Sequence, residues 1–126
     1  MPYRIIVVGS DVSINYATSQ NEALATANAI RALGRRCWTI RADVSEEEDV
    51  QSMFDFIDEE IGQLDILVSN AATGGFRHVL ASNPNHFAAA MNTNVLALIH
   101  LVKAGAKLLE SGTSRGKVIA LSSHGS

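Results

Sequence analysis

The sequence predicts an α/β fold with a largely parallel sheet, on three observations. Short β-prone runs alternate with helical patterns from residue 12 onward, one of them is a short apolar stretch, and that one stops abruptly at small polar residues. Alternating strands and helices put helices on the faces of a parallel sheet, and a strand covered on both faces reads as unbroken Ile, Leu and Val. Leu64-Asp-Ile-Leu-Val-Ser-Asn-Ala-Ala72 is such a run. Ligands in open α/β sheets lie beyond the carboxyl ends of the strands, so Ser69 and Asn70 are expected on the floor of a ligand crevice.

Arg4 to Val8 is a β-rich run ending at Gly9-Ser10, and Val12 to Tyr16 is a second. Only Gly9, Ser10 and Asp11 separate them, whereas parallel neighbours need a crossover of a dozen or more residues. Either the two form an antiparallel hairpin, which the Gly9-Ser10 turn favours, or the first run is displaced. Ser19 to Leu33 has helical spacing, with Ser19 and Glu22 as a capping box, Leu24, Ala27, Ile30 and Ala23 as the apolar stripe, and Gly34 past its end. Cys37 to Arg41 reads as a third strand. A second capping box, Ser45 with Glu48, opens a helix whose Val50, Met53, Phe54, Ile57 and Ile61 recur at i, i+3 and i+4, closed by Gly62. Ile66 to Ser69 is the fourth strand. Asn83 as N-cap and Pro84 at the first helical position start a long helix running to about Glu110, and Lys117 to Ser122 is the fifth strand. Residues 1–126 read as one domain.

A chain of 126 residues can bury roughly two thirds of the surface it exposes unfolded. Its 47% apolar and 18% charged composition is that of an ordinary soluble globular protein. The longest apolar stretch, Phe87 to Leu109, is interrupted by Asn92, Asn94, His100, Lys103 and Lys107. It reads as a buried or interface helix, since a membrane span takes roughly 20 apolar residues, and no membrane partner is expected. Net charge is −3 with scattered basic residues, which leaves no footprint for nucleic acid. The lone Cys37 cannot form an intrachain disulfide, and no charged-then-apolar leader opens the sequence, so a cytoplasmic setting is expected. His78, His86, His100 and His124 lack metal-ligand spacing, so no metal site is expected. No Gly-x-Ser-x-Gly elbow supports hydrolysis.

Asp43-Val44 after the third strand, Ser69-Asn70-Ala71-Ala72 after the fourth, Asn94 in the long helix and Leu121-Ser122-Ser123 after the fifth form an ordered set. Together they resemble the short-chain dehydrogenase/reductase family over nearly the whole chain. The Asn70-Ala-Ala-Thr-Gly74 run, Met91-Asn-Thr-Asn94 and Ser122-Ser-His-Gly-Ser126 are most similar to its NADPH-dependent enoyl-(acyl-carrier-protein) reductase branch. The resemblance implies a Rossmann-like three-layer fold, here incomplete, and hydride transfer from NADP, or alternatively NAD, to a small carbonyl or acyl-thioester substrate. It implies that Asp43 accepts a hydrogen bond from the adenine amino group beside the Val44 amide. Asn70, Ala71 and Ala72 would let the backbone approach the cofactor ribose, though Ser69 and Ala72 replace the family's usual Asn and Gly. Tyr16 and Ser19 fall where the 2′-phosphate or hydroxyl is read, and the lack of an acidic residue there leans toward NADP. Asn94 would hold a water in the proton relay. It sits among Met91, Val95, Leu98 and Val102, where a buried unpaired amide would cost about 1–3 kcal/mol. Ser123 would hydrogen-bond the substrate carbonyl. The long helix Pro84 to Glu110 would join copies of the chain into a homo-oligomer.

Two family features are missing. Gly9 and Ser10 are all that remains of the Gly-rich loop that cradles the cofactor pyrophosphate, and the helix after that loop is absent. Beyond Ser123 the sequence shows no Tyr and Lys pair, in which Lys lowers the pKa of the proton-donating Tyr. The sequence therefore reads as a shortened form, with weak or absent cofactor binding and no activity expected alone. A phosphoacceptor receiver domain, with Asp11 and Asp43 at strand ends, would need a Lys at the end of the fifth strand, and Lys117 is at its start. The alternative function is a non-catalytic remnant acting as a binding or oligomerisation module.

Overall fold

The computed structural model describes residues 9–70, 79–81, 83–112 and 114–121. The Arg4 to Val8 run and its hairpin with Val12 to Tyr16 lie outside them, as do Ala71, Ala72 and Ser123. The chain divides into two compact units, Met1–Ala42 and Asp43–Ser126. Its described strands form two parallel pairs, a partial Rossmann-like α/β architecture.

In the first unit, β1 (Val12–Tyr16) and β2 (Cys37–Arg41) pair in parallel across the helix α1 (Gln20–Ala32). Val12 stands opposite Cys37 and Tyr16 opposite Arg41. The ladder runs one residue past each end, through Val12 N–H to Arg36 O and Ala42 N–H to Tyr16 O. Helix α1 is amphipathic at the level of small residues: Ala23 and Ala27, at i and i+4, are its buried positions. Leu24 was expected in that stripe and is instead 39% exposed. The expected Ser19 capping box does not form, for Ser19 makes no side-chain cap bond. At the other end Gly34, at φ +82°, adopts the left-handed turn that closes the helix and donates to Arg31 O.

In the second unit, α2 (Glu47–Glu60) buries Val50, Met53, Phe54 and Ile57, the stripe its spacing predicts. Its start corrects the sequence reading. Glu46 is the N-cap with no side-chain bond, because Ser45 turns back and donates both its N–H and its hydroxyl to Asp43 Oδ1, at 3.0 and 2.6 Å. The parallel strands β3 (Ile66–Ser69) and β4 (Lys117–Ala120) pair Ile66 with Lys117 and Ser69 with Ala120. Between them, α3 (Pro84–Met91) passes through a π turn, Asn92–Leu96, into α4 (Ala97–Ser111). Helix α4 packs on α2, β3 and β4 through Leu101, Gly105, Leu108 and Leu109.

The continuous Pro84–Ser111 helix, 28 residues long with mean hydropathy 1.3 in its most apolar stretch, is long and apolar enough to cross a membrane. That is weak evidence, because core helices of soluble proteins meet the same test. Part of this apolarity serves the core of the unit through α4, and part is exposed: Phe87, Met91, Val95, Leu96, Ile99 and Val102 all face outward.

Candidate functional site

Each unit presents the carboxyl ends of a parallel strand pair, the position at which α/β sheets bind ligands. In the first unit Tyr16 ends β1 and Arg41 ends β2 on the same rung of the ladder. Three other arginines are committed elsewhere. Arg31 donates to Cys37 O at 2.6 and 3.2 Å, Arg36 holds Asp11 at 2.7 Å, and Arg35 holds the same carboxylate at 3.2 Å. Arg36 also lies over the Trp38 ring, 5.3 Å from its centroid. Arg41 is exposed and makes no hydrogen bond or ion pair among the described residues. With Ser19 exposed ahead of α1, this end of the pair offers hydroxyls and one uncommitted cation. Sequence reasoning missed Arg41 because it sits on the neighbouring strand, and only the register brings it beside Tyr16.

Gly9 and Ser10 precede β1 by two or three residues, so they lie at the opposite end of that strand from Tyr16. The five residues of β1 span roughly 16 Å at about 3.3 Å each. The structure therefore separates these two parts of the expected cofactor site, for a physical reason: with no loop and helix between, the chain runs from Gly9 directly into the strand. Gly9 has φ +76° and is exposed.

In the second unit, Leu121 N–H donates to Ser69 O at 3.0 Å, so β3 and β4 end together and Asn70 leaves from the exposed rim. Asp43 is exposed and Val44 buried. The two Ser45 bonds hold the Asp43 carboxyl below the ordinary carboxylate value, while Asp49 accepts the Asp43 backbone N–H at 2.9 Å. Oδ2 of Asp43 has no partner among the described residues, so an acceptor remains for a ligand donor. Asn94 corrects the burial argument made for it: it is exposed, on the π turn, with Met91, Val95 and Val102 also exposed. Desolvation cannot be what demands a partner there. The π turn itself, an extra residue in one turn of the helix, is a feature frequent at functional sites. Among the described residues no cluster of three His, Cys, Asp or Glu side chains could hold a metal. Cys37 is buried, which pushes its thiol pKa up.

These residues fit the two halves of a dinucleotide unequally. Uncommitted Arg41 beside Tyr16 suits an adenosine phosphate, whereas the described residues supply no pyrophosphate cradle at that end of β1. The sequence profile of the short chain dehydrogenase family matches residues 3–126. The 1-cyclohexenylcarbonyl-CoA reductase of Streptomyces collinus is 30% identical over 118 residues, 94% of this chain and 41% of that protein. The short-chain dehydrogenase/reductase homolog YusS of Bacillus subtilis is 44% identical over 64 residues, 51% of this chain and 59% of that protein. The crystal structure of a short chain dehydrogenase from Burkholderia cenocepacia in complex with NADP superposes with a TM-score of 0.81 at 35% identity, covering 89% of this chain and 44% of that one. The chain thus spans less than half the length of two of these and about three fifths of the third. With the strand-end motifs, the parallel βαβ unit and a profile match over nearly every residue in agreement, the chain belongs to the short-chain dehydrogenase/reductase family.

Proposed function

We propose that residues 1–126 are the adenosine-binding part, read as one partial domain, of an NADP-linked oxidoreductase that reduces a small carbonyl or acyl-thioester compound. The observation that carries the cofactor reading is the Tyr16–Arg41 rung, which sets a guanidinium with no partner among the described residues beside the end of β1, where Tyr16 to Ser19 bring no acidic residue. A 2′-phosphate favours such a site, while a free ribose hydroxyl is normally met by Asp or Glu. The Burkholderia relative holding NADP supports the same choice. Asp43 and Val44 would meet the adenine, Ser19 and Tyr16 the 2′-phosphate, Asn70, Ala71 and Ala72 the ribose, and Asn94 and Ser123 the substrate side. Gly9 and Ser10, ahead of β1, would be what remains of the pyrophosphate contact, which is why we expect cofactor binding to be weak. The Streptomyces relative is named as a CoA-thioester reductase, which supports the acyl-thioester reading; the enoyl reductase branch is our narrower proposal within it. We place the protein in the cytoplasm without a nucleic-acid or membrane partner, and as a homo-oligomer through the outer face of Pro84 to Glu110.

Titration with NADPH, read by nicotinamide fluorescence and by thermal stability, tests the proposal. We expect a weak, saturable shift at millimolar NADPH and a smaller one with NADH. No shift with either cofactor would replace the proposal with its alternative, a non-catalytic binding or oligomerisation module, which the exposed apolar face of the long helix favours. A reductase assay of this chain alone should show no turnover, because no Tyr and Lys pair follows Ser123 within residues 1–126.

A further inference from the structure

The helix that begins at Pro84 is capped by a reciprocal pair. Asn83 Oδ1 accepts the His86 backbone N–H at 3.1 Å, and the Asn83 backbone N–H donates to His86 Nδ1 at 3.3 Å. The returning acceptor in a capping box is ordinarily Glu or Gln, and both still accept at any pH between 5 and 8. An imidazole nitrogen accepts only while it keeps its lone pair, and imidazole is the side chain that loses it in that range. We infer that His86 makes the start of this helix sensitive to pH, closed when the ring is neutral and loosened when it is protonated.

Protonation turns Nδ1 into a donor facing the Asn83 N–H, so the bond becomes a repulsion. It also sets a positive charge at the positive end of the helix dipole. No second bond compensates: His86 Nε2 lies 3.5 Å from Asn83 Nδ2, and in the tautomer whose Nδ1 accepts, both atoms carry hydrogen. Neither α3 nor the π turn packed against it contains an Asp, Glu, Lys or Arg. Arg77 and His78 precede the cap in the sequence and lie outside the described residues. The Asn83 Oδ1 bond survives protonation, so acid frees the Asn83 amide and loosens the first turn without abolishing the helix.

Two NMR measurements on the full chain test this. Amide exchange at Asn83, corrected for the intrinsic pH dependence of exchange, should lose roughly two- to tenfold of its protection between pH 8 and 5, the fold-change one net hydrogen bond corresponds to. In His86→Gln, whose amide oxygen can replace Nδ1 at all pH values, that protection should stay constant. Ring nitrogen shifts of the unaltered protein at pH 8 should report hydrogen on Nε2. Hydrogen on Nδ1 at pH 8, pH-independent protection in the unaltered chain, or the same loss in His86→Gln would each overturn the inference.

Discussion

The ring of Phe54 on α2 lies against the backbone of Gly105 on α4. A β-carbon on Gly105 would stand 2.8 Å from Phe54 Cε1 and 3.0 Å from Cζ, so the absence of a side chain is what lets these helices meet. Replacing a mid-helix glycine with alanine ordinarily gains about 1 kcal/mol, but overpacking costs about 1–3 kcal/mol. Phe54 is only 3% exposed and cannot swing into solvent. Gly105→Ala should therefore lose about 1 kcal/mol in urea unfolding at unchanged m. In a Phe54→Leu background, where the ring is gone, the same substitution should stabilise. If Gly105→Ala stabilises the unaltered protein, the packing is not as tight as the geometry states.

Strand positions and apolar stripes could be read from the sequence, while caps and departures from ideal helix could not. Cys37–Arg41 and Ile66–Ser69 were delimited residue for residue, because each is a short β-prone run bounded by residues that break the pattern. The Ser19/Glu22 and Ser45/Glu48 boxes satisfied the sequence rule and formed neither time. For Ser45 the competitor is visible: the Asp43 carboxylate, two residues back, accepts both of its donors. The box that does form returns through His86, a residue the Glu/Gln rule ignores. Arg41 was missed as a site residue because strand register is a tertiary fact, and the exposure of Asn94 because a π turn shifts residues around the helix.

Two aspartates, Asp11 half-buried and Asp43 exposed, set the acid limb of stability. Asp11 is held below its ordinary value of 3.8 by the Arg36 side chain, then by the Arg36 backbone N–H, and Asp43 by the hydroxyl and N–H of Ser45. Groups bound more strongly as anions in the folded state stabilise it fully above pH 3.8, and that stability is lost as pH falls through the lower folded values. Stability from these two should hold from pH 7 to 5 and fall below about 4. The double variant Asp11→Asn, Asp43→Asn should be less stable than the unaltered protein at pH 7 and converge with it near pH 2, read by urea midpoints. Added salt should narrow the gap at pH 7, since the Asp11 pair with Arg35 and Arg36 faces solvent. A constant difference across the whole range would show that neither carboxylate is linked to folding.

The outer face of the long helix is the surface through which we propose that the chain self-associates. Phe87, 69% exposed, is followed at spacings of three and four by Met91, Val95, Ile99 and Val102, all exposed, a row that single scattered apolar residues would not make. Ile99→Asp with Val102→Asp should return the chain to its 13.5 kDa monomer mass in sedimentation, with helix content unchanged by circular dichroism because neither side chain is buried. An unaltered oligomer mass in that variant would place the contact on another face.

Arg41 gives the sharpest test of cofactor choice. It shares the last rung of the β1–β2 pair with Tyr16 and spends its guanidinium on nothing among the described residues. Arg41→Glu should therefore leave the folded state nearly unchanged in urea unfolding. A charge-assisted bond to phosphate is worth about 1.5–3 kcal/mol, so NADPH affinity should fall roughly ten- to hundredfold while NADH affinity holds or rises, since a carboxylate at that point can accept from a ribose hydroxyl. Arg41→Lys should fall between, because a point charge replaces a planar fork. Adenosine 2′,5′-bisphosphate and 5′-AMP, titrated in parallel, isolate the phosphate itself: Arg41→Glu should cost binding of the first and spare the second. Equal loss of both ligands would mean that Arg41 supports the fold of the strand ends, and an unchanged preference for NADPH would mean that the 2′-phosphate is read by other residues.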